Sequence, residues 1–215
     1  MSQSAYYEVT NHENMNAVLK AFMLSLGIAV LGMCVGTIVP PALFLPLIVI
    51  EVLLLLGAFF LRKRKAVGYS FLYFFTFLSG VTTYPIVAYY LQTSGAQVVL
   101  GAFASTFVVF FVMAVAGVKT KRDLSFLGGL LLTVLLALIT LSIMNLFWPF
   151  SSTAMFVYSI IGTVLFSAYI MYDFNQMKRM TITNEMVPLL ALNLYLDFIN
   201  LFINLLRVLG FLSKE

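Results

Sequence analysis

ALNLYLDFINLFINLLRVLG, residues 191–210, is the stretch on which the fold turns. It is long enough to cross a bilayer, since about 20 apolar residues rising ~1.5 Å each span the hydrocarbon core. Its polar residues are not scattered. Asn193, Asp197, Asn200, Asn204 and Arg207 recur at steps of 4, 3, 4 and 3, which places them on one helical face. Such a stripe along an apolar helix signals either an aqueous path or a hydrogen-bonded helix seam. The carboxylate at its centre tips the balance towards a water-accessible cavity.

The rest of the chain has the same character. It is 62% hydrophobic and 9% charged, with a mean hydropathy of +1.05. Soluble domains carry about 25% charged residues, so the solvent of this protein must largely be lipid. Seven segments are long and apolar enough to span, at 21–39, 42–61, 66–91, 96–118, 124–146, 154–177 and 187–207. The expected class is an all-α membrane protein with seven transmembrane helices. A polar tail at 1–16, a membrane domain at 17–210 and a short tail at 211–215 complete the layout. The N-terminus lacks the basic region of a secretory signal and reads as retained.

Positive charge marks one side of the membrane. Arg62 to Lys65 follow the second segment, Lys119, Lys121 and Arg122 the fourth, and Lys178 and Arg179 the sixth. The loops after segments 1, 3 and 5 carry no Lys or Arg. Lysine and arginine are retained in cytoplasmic loops, so the N-terminus is expected inside and the C-terminus outside. The net charge of +4 is thus a topology signal, not a nucleic-acid footprint. Gly32 and Gly36 form a small-xxx-small pair that predicts close helix packing, with Gly128 and Gly129 as a second candidate. Pro85 should remove one helical hydrogen bond and kink the third segment. Cys34 is expected to pack as a small apolar residue, and His12 to be a solvated residue of the tail.

Three carboxylates fall inside apolar segments, namely Glu51, Asp173 and Asp197. By helical rise, Glu51 and Asp197 lie near the bilayer midplane, while Asp173 sits only ~8 Å from the basic loop. Charges in lipid need partners. Asp173 and Asp197 occupy consecutive helices whose connection centres near residue 184, about equally far from it, so antiparallel packing lets them face each other. Two close carboxylates resist double ionisation and should share a proton. Arg62 could pair with Asp173 from the membrane edge. Tyr73, Thr76, Gly80, Thr83 and Tyr90 share a face of the third segment and offer hydroxyls to the carboxylates.

At these residues the chain resembles a known family. GTVLFSAYIMYDFNQM (162–177) followed by ALNLYLDFINLFINLLRVLG is similar to the Bax-inhibitor family, the transmembrane BAX-inhibitor-motif proteins, in its bacterial form. Where that family commonly reads YDTQ, this chain reads YDFNQ, so Phe174 and Asn175 depart from the pattern while Asp173 is retained. The resemblance implies helix 7 at the centre, surrounded by helices 1–6. It also implies a pH-sensitive calcium leak. It assigns the pH sensor to Asp173 and Asp197, which would also be the weak calcium contacts, and the latch to Arg62. Glu51, Asn193, Asn200 and Asn204 are the further candidates for the ion path. No cofactor is expected beyond the transported calcium, and the partners are the bilayer, calcium and protons. A bacterial plasma membrane is the expected location, and the oligomeric state is open.

Rival classes leave specific marks. An intramembrane aspartyl protease would pair YD with GxGD; Tyr172-Asp173 fits, but LYLD has Leu194 and Leu196 where glycines are needed. No enzymatic activity is therefore expected. A proton-coupled ion transporter is the alternative to a leak, since a shared proton is also what coupling requires.

Overall fold

The computed structural model describes residues 3–61 and 67–213, with side chains described over 14–58 and 67–213. Seven α-helices follow one another: α1 (Gln3–Gly36), α2 (Pro41–Leu61), α3 (Tyr69–Thr93), α4 (Ala96–Lys119), α5 (Leu127–Phe147), α6 (Ser152–Arg179) and α7 (Val187–Leu212). A single 3-10 turn, Asn184–Met186, precedes α7, and no strand occurs among the described residues. Each helix contains a segment long and apolar enough to cross a membrane. The lipid bilayer is therefore the environment of this chain. Leu24, Leu45, Phe111, Leu130 and Val164 are all more than half exposed, as an outer surface solvated by acyl chains requires.

Helix boundaries fall within a few residues of the predicted segments, with two informative differences. α1 begins at Gln3, so the segment read as a polar tail is helical in continuity with the first span. Pro85 lies inside α3, which continues on both sides of it. Cys34 is exposed on α1, not enclosed.

The chain divides into two compact units, residues 1–88 with 181–195 and residues 89–180 with 196–215. In the first, α1 and α3 approach through glycine. A Cβ on Gly32 would overlap the Phe77 carbonyl, one on Gly80 the Ala29 carbonyl, and one on Gly36 the Tyr84 side chain. Only hydrogen side chains permit this backbone contact. Asn14 donates to the Ile182 carbonyl at 2.6 Å. Tyr195, fully buried, meets Phe75 edge-on at 6.4 Å and donates to the Thr76 carbonyl at 3.4 Å. α2 is the outlier, because no residue of its span, Pro41–Ala58, is buried.

In the second unit α6 packs against α4 and α5. Leu131 and Leu138, two turns apart on α5, enclose a core with Leu165. Phe103, Phe107 and Phe110 form a ridge along α4, and the Phe198 ring of α7 meets all three at 4.9–6.3 Å. Gly117 rests on the Met171 carbonyl and Gly128 on the Tyr172 hydroxyl, whereas Gly129 faces open space.

Asn175 closes the basic end of this unit. It is fully buried on α6. Its Oδ1 accepts from the Leu124 amide and from Arg179 Nε, both at 3.2 Å. Its Nδ2 donates to the carbonyls of Gly117 and Arg122, each at 3.2 Å, and to that of Thr120 at 3.4 Å. The α4–α5 connection is thus wrapped around one amide. Lys178 and Arg179 add bonds to the Val118 and Lys121 carbonyls, each 2.7 Å. Asp123 turns the connection by accepting from the Ser125 hydroxyl at 2.6 Å and its amide at 2.9 Å, and these bonds hold its carboxyl below the ordinary range.

Two outcomes are expected. Gly32→Leu should overpack the α1–α3 contact at about 1–3 kcal/mol and lower the unfolding temperature in detergent, while Gly129→Leu should leave it unchanged. Asn175→Ala should strand several buried backbone groups, each worth about 1–3 kcal/mol. Limited trypsin digestion at Lys119–Arg122 should then accelerate; cleavage at the wild-type rate would deny the clamp.

Candidate functional site

The two aspartates come together within the second unit. Asp197 is buried, 6% exposed, and Asp173 is half-buried on α6. Their charges act on each other, and the Tyr169 hydroxyl, one turn before Asp173, lies within electrostatic reach of both. Asp197 Oδ2 accepts no hydrogen bond among the described residues. A buried carboxylate oxygen without a donor is an acceptor left unsatisfied by the protein.

The stripe continues along α7. Asn200 Nδ2 donates to the Leu196 carbonyl and Asn204 Nδ2 to the Asn200 carbonyl, each at 2.8 Å. Both amides thus spend a donor on their own helix. Asn204 is buried, and its Oδ1 has no partner among the described residues. It is seated by Gly162 of α6, where a Cβ would meet the Asn204 side chain at 2.5–2.7 Å. Two turns of α7 thus carry two buried, donorless oxygens, Asp197 Oδ2 and Asn204 Oδ1.

Glu51 and Asn193 belong to the first unit. Glu51 Oε2 accepts from the Thr82 hydroxyl, tying α2 to α3, and Phe44 stacks on Tyr84 at 6.4 Å in the same pairing. The helix-3 face predicted to serve the carboxylates does so differently. Thr76 and Thr83 donate to the carbonyls of Tyr73 and Ser79, at 3.2 and 2.7 Å, and the threonine that reaches a carboxylate is Thr82. Asn193 is half-buried. Arg62, the expected latch, and the rest of the RKRK run lie outside the described residues.

Tyr169, Gly162 and Thr82 were not singled out from the sequence. Tyr169 and Asp173 stand four residues apart on one helix, a spacing that marks a shared face. Gly162 and Thr82 carry no such signal, because their partners come from other helices. Among the described residues no three His, Cys, Asp or Glu side chains cluster. Two carboxylates fall short of the six to eight oxygens of a tight calcium site.

Relatives of the chain occur in several bacteria. It is 32% identical to a protein of Campylobacter jejuni over 97% of this chain and 94% of that one. It is 33% identical to a Helicobacter pylori protein over 77% and 70% of the two chains. An uncharacterized membrane protein of Streptococcus pyogenes serotype M6 is 39% identical over 69% and 66%. Residues 11–214 match the family described as inhibitor of apoptosis-promoting Bax1. Seven apolar helices, the paired aspartates of α6 and α7, and this match over nearly the whole chain make the protein a member of the Bax-inhibitor family.

Proposed function

We propose that this membrane protein is a pH-sensitive calcium leak channel gated by protonation of the Asp173–Asp197 pair. The observation that carries the proposal is the pair of buried, donorless oxygens on α7, Asp197 Oδ2 and Asn204 Oδ1. Acceptors without donors repel anions and attract cations and protons. They are also too few to trap calcium, as conduction requires.

At higher pH the two aspartates share one proton, because two neighbouring carboxylates do not both ionise readily. The remaining negative charge holds the closed state, and the resemblance gives Arg62 the part of its latch. As pH falls, the second carboxylate is protonated, the charge is lost and a charge-assisted bond to it weakens. Helices then separate along α7. Two features of burial fit such a motion. α7 has the largest buried share of the seven spans, 61%, so its neighbours are protein over most of its length. α2 has none, which suits the helix that moves. The basic residues at 119–122 and 178–179 mark the cytoplasmic end, with the C-terminus external.

Calcium flux into liposomes should rise as pH falls. Asp173→Asn and Asp197→Asn should each flatten or shift that dependence, and Arg62→Ala should raise the flux at high pH. A wild-type pH response in both aspartate variants would refute the sensor. A saturable uptake driven by a proton gradient would replace the leak with a coupled transporter. A reporter fused after Glu215 should be dark if it needs the cytoplasm; activity there would reverse the orientation.

A further inference from the structure

The second unit holds a cavity of about 160 Å³ at the end of the helices opposite the basic loops. Its polar lining comes from three elements: Tyr89 and Tyr90 at the end of α3, Ser152 at the start of α6, and Arg207 near the end of α7. Arg207 is half-buried, and its guanidinium carbon stands 6.0 Å from the centroid of the Tyr158 ring. The titratable groups that act on it are Tyr158 and Tyr90, and among the described residues no carboxylate does. A ring face attracts a guanidinium without neutralising it. A cation inside a membrane helix, lining a cavity, with no carboxylate acting on it among the described residues, suits an anion.

The other donors define the anion. α6 begins at Ser152, so the amides of Ser152 and Thr153 have no partner within the helix. Ser151 occupies the next two, its hydroxyl taking the Ala154 amide at 3.2 Å and its carbonyl the Met155 amide at 2.9 Å. The start of α6 at Ser152, the Ser152 side chain, two tyrosines and Arg207 thus line one cavity from separate elements. They suit an oxyanion with several oxygens, and phosphate above all. The setting indicates the source. Trp148, four residues before Ser152, is 71% exposed, as a residue at the membrane–water boundary would be. The opposite wall is apolar, with Phe156 and Phe211 stacked at 4.4 Å. Gly210 leaves room for the Tyr90 ring, which a Cβ there would overlap.

We propose that this cavity binds a phosphate oxyanion through Arg207, supplied by a phospholipid headgroup or by free phosphate. It needs no contribution from the aspartate pair and stands whether or not the protein conducts calcium. The test is native mass spectrometry of the full chain, delipidated in detergent. Phosphatidylglycerol, diacylglycerol with the same tails, and inorganic phosphate are titrated separately. The wild type should retain phosphatidylglycerol over diacylglycerol, and Arg207→Gln should bind it about tenfold more weakly, as loss of a charged hydrogen bond predicts. Ser152→Trp, at an exposed position, should block the mouth and give the same loss even if Arg207→Gln does not fold. Inorganic phosphate displacing the lipid in the wild type would assign free phosphate as a second ligand, and failure to displace it would assign the headgroup alone. Equal retention in the wild type and Ser152→Trp, or no preference over diacylglycerol, would overturn the site.

Discussion

A side chain inside hydrocarbon has no water to bond, and most of the polar residues of this protein solve that problem within their own helix. Ser25, Thr83, Thr106, Thr133, Thr140, Ser159, Thr163 and Ser167 each donate to the carbonyl four residues back, at 2.7–2.9 Å. Asn200 and Asn204 do the same with their amides. These bonds remove the penalty of a donor in lipid and contribute little to joining helices. The work of association therefore passes to surfaces that fit: glycine against backbone between α1 and α3, and phenylalanine edges between α4 and α7.

A hydroxyl can satisfy itself in this way; a charge cannot. An ionised Asp197 can only accept, so the carbonyls of its own helix are no partners for it, and its Oδ2 accepts no hydrogen bond among the described residues. Arg207 stands in the mirror position, as a cation with ring faces beside it and no carboxylate among the described residues. Asp197, midway along α7, and Arg207, nearer its C-terminal end, thus place groups of opposite sign on the same polar stripe.

Asn175 shows how a departure from a family pattern gains a local reason. Its amide supplies what a connection of irregular backbone needs, two donors and a carbonyl within reach of five partners. The neighbouring Phe174 takes up the space above Phe110, at 5.8 Å and edge-on. Neither function is visible in the tetrapeptide, because every partner but Arg179 lies more than fifty residues away.

Length and composition by themselves determined that the chain crosses a membrane, how many times, and where the helices start and stop within a few residues. These are one-dimensional properties, set by the thickness of hydrocarbon and by the placement of Pro, Gly and charge. Spacing also made the polar face of α7 legible, and the short connection before it implied that Asp173 and Asp197 could meet. Only the tertiary structure decided which polar groups find partners. It assigned Thr82 to Glu51, gave Gly162 to Asn204, and left Arg207 to a cavity. Those outcomes depend on the rotation of each helix about its axis, which apolar sequence barely specifies, since one leucine faces lipid as readily as another. Packing of glycine and aromatic residues sets that rotation, and with it the few groups left to do chemistry.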